Sequence, residues 1–167
     1  MSAQLIQQPA APRLDYIQQA PRLFDAFLAF SQSNRLDKKL TQLVDIRASQ
    51  LNRCAFCLDM HIKQASLLGE PELRLHHVSI WRESALFSPR ERAALAWTEV
   101  LTDMHAAQAG VSDVLYDAVR EQLGDEDLLS LSYRIVAING WNRLNVAFLM
   151  PPGSQDHAFG LSHAPLR

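Results

Sequence analysis

Apolar residues recur along most of this chain at the three- and four-residue intervals of a helix, and nowhere with the alternation of a strand. Leu23, Phe24, Phe27 and Leu28 follow Pro21, which suits a first turn, and predict a helix that fades at Ser31-Gln32-Ser33-Asn34. Asp37 is placed to cap the next, where Leu40, Leu43, Val44 and Leu51 keep the spacing. Asn52-Arg53 breaks the pattern, and a third helix runs from near Cys54 to Gly69, with Pro71 beyond it. A short helix is expected from Pro71 to about Ser79. Ser88-Pro89-Arg90-Glu91 is a capping box, opening a helix with Ala94, Trp97, Leu101 and Met104 on one face. Ser112 caps another that should end near Gly124. The last stretch, Asp125 to Met150, is apolar on more than one face, as befits a central or interfacial helix. The expectation is an all-α, bundle-like domain of six to eight helices over residues 14–150. A flexible polar arm (1–13) precedes it and an aperiodic tail (151–167) follows.

The break before the third helix coincides with the chain's chemistry. Its only two cysteines stand in Cys54-Ala55-Phe56-Cys57-Leu58-Asp59-Met60-His61. If this segment is helical from Cys54, both thiols and His61 share one face. A free thiol with a pKa near ~8.5 is only a few per cent thiolate at neutral pH. A helix N-terminus, a neighbouring imidazole and a second thiol each lower that value. The second thiol also captures a sulfenic acid as a disulfide before it oxidises further. Such a dithiol with a base beside it points to thiol-disulfide or peroxide chemistry. Zinc would use the same residue types, but a structural site wants four ligands; His76 or His77 would have to supply the fourth. Two inert buried cysteines are the remaining alternative.

Composition narrows the setting. At 167 residues, 48% hydrophobic and 20% charged, the chain suits one soluble globular domain. A net charge of -2 makes no case for nucleic acid or an anionic membrane as partner. Met1 to Arg13 has neither the basic region nor the apolar run of a secretory signal, and no stretch reads as a membrane span. Cytoplasm is therefore the expected compartment, where a CxxC is more often catalytic than a staple. No cofactor is called for beyond the dithiol itself, and no metal.

The segment Ser49-Gln50-Leu51-Asn52-Arg53-Cys54-Ala55-Phe56-Cys57-Leu58-Asp59-Met60-His61 resembles the core motif of the AhpD-like alkylhydroperoxidases, in the carboxymuconolactone decarboxylase superfamily. Trp81-Arg82-Glu83, Phe87 to Trp97 and Asn139-Gly140-Trp141-Asn142-Arg143 resemble the same group, so the likeness runs from about residue 20 to 150. It implies an all-helical fold, assembly as a homotrimer or homohexamer, and a dithiol peroxidase acting on a small organic hydroperoxide. By position, Cys57 would be the peroxidatic nucleophile, Cys54 the resolving thiol and His61 part of the proton relay. A thiol or lipoyl-type donor protein would regenerate the dithiol. Two positions depart from the pattern. Gln42 stands where the family carries a glutamate, twelve residues before Cys54, and glutamine accepts no proton at pH 7. Phe56 stands where some members place a histidine.

Asp45, Glu83 and Glu99 are the candidate substitute carboxylates, with Glu83 and Glu99 ranked first because they lie in family-like segments. Asn139, Asn142 and Asn145 form a polar line in an apolar helix, which would fix register across a subunit interface or line the active-site cavity; the interface is the preferred reading. Trp81, Phe87, Trp97 and Trp141 read as core or interface, His76-His77 as exposed, and His105 as a C-terminal helix cap. Besides the peroxidase, two functions remain in view. One is a carboxymuconolactone-type decarboxylase, which has no evident need of a dithiol. The other is a non-enzymatic redox-sensing or oligomeric binding module, motivated by Gln42.

Overall fold

The computed structural model describes residues 11–104 and 110–165. Most of the expected arm, and His105, lie outside the described residues. Among the described residues seven α-helices follow in order: α1 (Tyr16–Gln19), α2 (Pro21–Gln32), α3 (Lys38–Leu51), α4 (Ala55–Leu67), α5 (Glu72–His77), α6 (Pro89–Thr102) and α7 (Asp113–Phe148). A 3₁₀ turn, Val78–Ile80, follows α5. The fold is all-α, with no strand among the described residues.

The helix starts form for the reasons the sequence contains. Asp37 accepts from the N–H of Lys39 and Leu40, Ser112 from Leu115, and Ser88 from Glu91, whose carboxylate returns the bond to Ser88. Gly69 adopts φ +74° and closes α4, as only a residue without Cβ does at little cost. Gly124 (φ 75°, ψ 169°) kinks α7 where the sequence expects one helix to end and another to begin. The helix that the periodicity does not reveal is α1. It has four residues, and Asp15 caps it by accepting from Ile17 and Gln18.

α3 is the strut of the domain. It packs against α4, α6 and α7 and buries Leu40, Leu43, Val44, Ile46 and Ala48. Each fully buried leucine or isoleucine there contributes about 1.5–3 kcal/mol relative to exposure. Three apolar clusters result. One joins α3, α6 and α7 through Val44, Trp97 and Leu131; another joins α3 and α4 to Trp81 and Phe87. The third gathers Tyr16, Phe56, Ile138 and Met150 around the two cysteines. On the same side, α2 lies close to α7 because Gly140 has no side chain: a Cβ there would stand 2.5 Å from the Phe27 ring.

The asparagine line of α7 works inside the protomer, which corrects the interface reading. Asn52 Nδ2 donates to Asn139 Oδ1 (2.9 Å) and Asn142 Oδ1 (2.8 Å), and Asn142 Nδ2 donates to Ser49 Oγ (3.1 Å). Asn139 Nδ2 donates to Thr102 Oγ1 at 3.0 Å. All three α7 asparagines are buried, and their partners tie the α3–α4 turn to α7. A buried polar group takes the nearest partner that satisfies it, and here that partner is intramolecular.

The tail folds back over α4. Lys63 Nζ binds both Asp59 and Asp156 at 2.7 Å, and Leu161 is buried. Among the described residues no helix is long and apolar enough to cross a membrane.

Candidate active site

The turn between α3 and α4 sets the geometry of the cysteines. Arg53 takes a left-handed conformation (φ 55°), and the N–H of Cys54 donates to Ser49 O at 3.0 Å. Cys54 is thereby placed as the N-cap of α4, in extended conformation, and its Sγ accepts from the N–H of Cys57 at 3.3 Å. The two cysteines are joined as a disulfide with Cα atoms 5.4 Å apart, and both are buried.

The sulfur of Cys57 has a second donor, Asn145 Nδ2 at 3.2 Å. Asn145 is itself fixed, since its Oδ1 accepts from the Tyr16 hydroxyl at 2.9 Å. That phenol stays protonated: burial, with Asp15 adding to it, pushes its pKa up to about 12. The chain Tyr16–Asn145–Cys57 thus aims an N–H at the sulfur.

His61 lies a turn beyond Cys57 and is buried. Its Nδ1 faces Gln42 Oε1 and Gln64 Oε1, each at 2.9 Å, and Asp45 Oδ2 at 3.4 Å. Three acceptors around one nitrogen assign the proton to Nδ1 and leave the lone pair on Nε2. Burial pushes the imidazole pKa below its usual value and Arg134 adds to that, while Asp45 and the Gln64 hydrogen bond oppose it. The ring is therefore a neutral base at pH 7.

Asp45 is fully buried and paired with Arg134, whose Nε donates to Oδ1 at 2.8 Å and whose Nη2 contacts Oδ2. Burial works against the charge of Arg134, but Asp45 outweighs it and holds the guanidinium above its ordinary value.

A cavity of ≈ 170 Å³ opens onto this arrangement. Cys57, His61, Gln64, Arg134 and Asn145 supply its polar lining, and Tyr16, Phe24, Phe56, Trp141 and Phe159 its aromatic walls. Cys54 and Gln42 do not line it; the one sits behind Cys57 and the other behind His61. The four site residues expected from sequence are therefore brought together, two facing the cavity and two backing them.

The ranking of substitute carboxylates is reversed by the fold. Glu99 is occupied by Arg47 (Nε at 2.8 Å), Trp81 (Nε1 at 2.8 Å) and Arg82, and Glu83 is exposed. Asp45 is the carboxylate that reaches His61. Tyr16, Gln64, Arg134 and Phe159 were not anticipated as site residues; Asn145 lines the cavity, as the second reading of the α7 asparagines allowed. Gln64 had a signal, three residues beyond His61 on the same face. Arg134 had one too, a charge between the buried Leu131 and Ile138. Among the described residues no group of His, Cys, Asp or Glu is placed to hold a metal ion. His76 is exposed beside Glu72, and His77 Nδ1 hydrogen-bonds Ser84 Oγ at 3.0 Å.

Known proteins share this framework. Residues 18–100 match the model of the carboxymuconolactone decarboxylase family. An uncharacterised Bacillus subtilis protein, YdfG, is 35% identical over 81% of this chain and 92% of its own length. A crystal structure of an Agrobacterium tumefaciens protein of unknown function, related to the antioxidant defence protein AhpD, superposes with a TM-score of 0.79 at 35% identity. That match covers 84% of this chain and 97% of the other. The debrominase Bmp8 has the same fold at 17% identity (TM-score 0.70, 85% of this chain and 77% of that one). The chain belongs to the carboxymuconolactone decarboxylase family, as an AhpD-like member that carries its cysteines as a CxxC.

Proposed function

We propose that this protein is a dithiol peroxidase that reduces small organic hydroperoxides. One observation carries the reading: Cys57 and His61 line the same aromatic-walled cavity, with Cys54 bonded to Cys57 from behind. In the reduced form Cys57 gives its proton to His61 Nε2 across that cavity. The thiolate is held by the Asn145 amide, whose bond to a charged sulfur is stronger than to a neutral one. The thiolate attacks the terminal oxygen of ROOH, the O–O bond breaks, and RO⁻ leaves with the proton from His61 as ROH. Cys57 is now a sulfenic acid. The Cys54 sulfur attacks it, the S–O bond breaks, and hydroxide leaves as water with the Cys54 proton. Two electrons have passed from the dithiol to the peroxide.

A dithiol donor of the thioredoxin or lipoyl type returns those electrons by exchange through a mixed disulfide. The aromatic walls favour an organic R group over hydrogen peroxide, because burying it supplies binding that hydrogen peroxide cannot. Reducing cytoplasm suits the cycle. Leu129, Tyr133 and Val136, exposed at 62%, 62% and 58% on α7, give a homotrimer or homohexamer an apolar face to cover.

The experiment is an intact-mass measurement of reduced protein before and after one equivalent of cumene hydroperoxide. Loss of two hydrogens within seconds is expected in the wild type and not in Cys57→Ser. An unreactive wild type, or an equally reactive variant, sinks the assignment.

A further inference from the structure

The mechanism above leaves the buried Asp45–Arg134 pair without a task. Its position gives it one. Gln42 and Asp45 are three residues apart on α3, so both project from one face, and both end at His61 Nδ1. Gln42 offers an amide oxygen, which carries no charge. Asp45 offers a carboxylate that is completely shielded from water.

We propose that Asp45 is the positioning carboxylate of this site: through Oδ2 it holds His61 in the Nδ1–H form and stabilises the imidazolium formed when Cys57 is deprotonated. Its catalytic consequence rests on the peroxidase reading; its coupling to His61 does not.

Arg134 makes this possible. A lone carboxylate in such a place would take up a proton rather than stay charged. The guanidinium fork engages both carboxylate oxygens, and its Nη1 also donates to Ser31 O at 3.0 Å, which pins it to α2. Arg134 also moderates the effect, because its positive charge opposes a second cation on His61. Asp45 and Arg134 together therefore give a histidine that can be protonated transiently without resting in that state. The charged or titratable groups around the ring are Asp45 from α3, Arg134 from α7, and Cys57 on its own helix. Tyr16 lines the same cavity from α1.

The competing reading makes Asp45 only the structural partner of Arg134. The two are separated by watching His61 itself. Full-length reduced protein, labelled with ¹⁵N at histidine, is titrated by long-range ¹⁵N–¹H correlation, with the His61 signals assigned by their loss in His61→Gln. Wild type should show the Nδ1–H tautomer, and Asp45→Asn should shift the titration to lower pH. In the same samples, disulfide formation with cumene hydroperoxide at pH 7 should slow about 100-fold, the lower end of what acid–base assistance contributes. Adding Gln42→Glu to Asp45→Asn puts a carboxylate back at the same nitrogen, and should recover at least about 10-fold and move the pH–rate profile back.

If Asp45→Asn does not fold with Arg134 left unpaired, Asp45→Asn/Arg134→Gln removes both charges and is measured the same way. An Nε2–H tautomer in the wild type overturns the proposal. So does an unchanged His61 titration in Asp45→Asn, a titration that adding Gln42→Glu leaves unmoved in the double-variant background where only that folds, or a rate loss that Gln42→Glu does not relieve. Wild-type protein that titrates as expected but ignores hydroperoxide would remove the peroxidase reading and leave the Asp45–His61 coupling standing.

Discussion

The start of α6 and the start of α4 are the same local structure put to different ends. At α6, the extended Ser88 accepts the N–H of the third helical residue, Glu91, at 3.3 Å, and Glu91 accepts the Ser88 N–H at 2.7 Å. At α4, the extended Cys54 accepts the N–H of the third residue, Cys57, also at 3.3 Å. The side chain of that third residue again returns to the cap, here as a disulfide. The cap's own N–H is taken by Ser49 O, so no glutamate is needed. Helix geometry brings the capping side chain and the third side chain together in both places. Serine and glutamate make that meeting a static lock. Two cysteines make it a reversible one, and burial beside His61 and Asn145 gives it chemistry.

The sharpest way to separate cap from chemistry is Cys54→Ser. Serine is among the best capping residues, so the variant should keep α4 and match the reduced wild type in stability to within about 0.5 kcal/mol. Turnover with a dithiol reductant should be lost. Hydroperoxide should leave Cys57 heavier by one oxygen, about 16 Da, rather than close a disulfide. If turnover survives, the resolving thiol is not Cys54, and the parallel between the two helix starts loses its meaning.

Asn145→Ala tests the feature that α6 lacks, a donor aimed at the side chain of the third residue. A hydrogen bond to a charged group is worth about 1.5–3 kcal/mol, so removing it should raise the Cys57 pKa and slow alkylation of the reduced protein near pH 7 by about 10-fold. The pH dependence of iodoacetamide reaction, with Cys54→Ser as background, reads this directly. An unshifted profile would mean that the helix start and His61 govern the sulfur without Asn145.

What the sequence disclosed and what it withheld follow one division. Contacts along a single helix are set by 3.6 residues per turn, so the sharing of one face by Cys57 and His61 was legible, as were Asp37, Ser88 and Ser112 as caps; Cys54 was expected inside the helix on that face and is instead its extended N-cap, behind Cys57. Contacts between helices depend on crossing geometry, which the sequence does not print. For that reason Glu83 and Glu99 ranked above Asp45 as partners for His61, although Glu99 ends among Arg47, Trp81 and Arg82. The asparagines of α7 looked like an interface for the same reason. Tyr16 and Phe159 reach the cavity from a four-residue helix and from the aperiodic tail, where periodicity has nothing to report.

The smallest effect is the one that completes the comparison. Ser88→Ala removes the hydroxyl that holds the Glu91 N–H and half of the reciprocal box, at an exposed helix start with no reactive group nearby. Such a loss costs about 1 kcal/mol. For a chain of this size that lowers Tm by about 3 °C. The Pro89 at the first helical position keeps the turn preorganised, and the Arg74–Glu91 ion pair at 2.5 Å still anchors the Glu91 carboxylate, so a larger loss is not expected. The rate of disulfide formation should not change. A Ser88→Ala variant that slowed the chemistry would show that the two helix starts are mechanically coupled through α3, the helix that touches both α4 and α6. An unchanged rate with a lowered Tm would show that one device serves stability at α6 and reactivity at α4, independently.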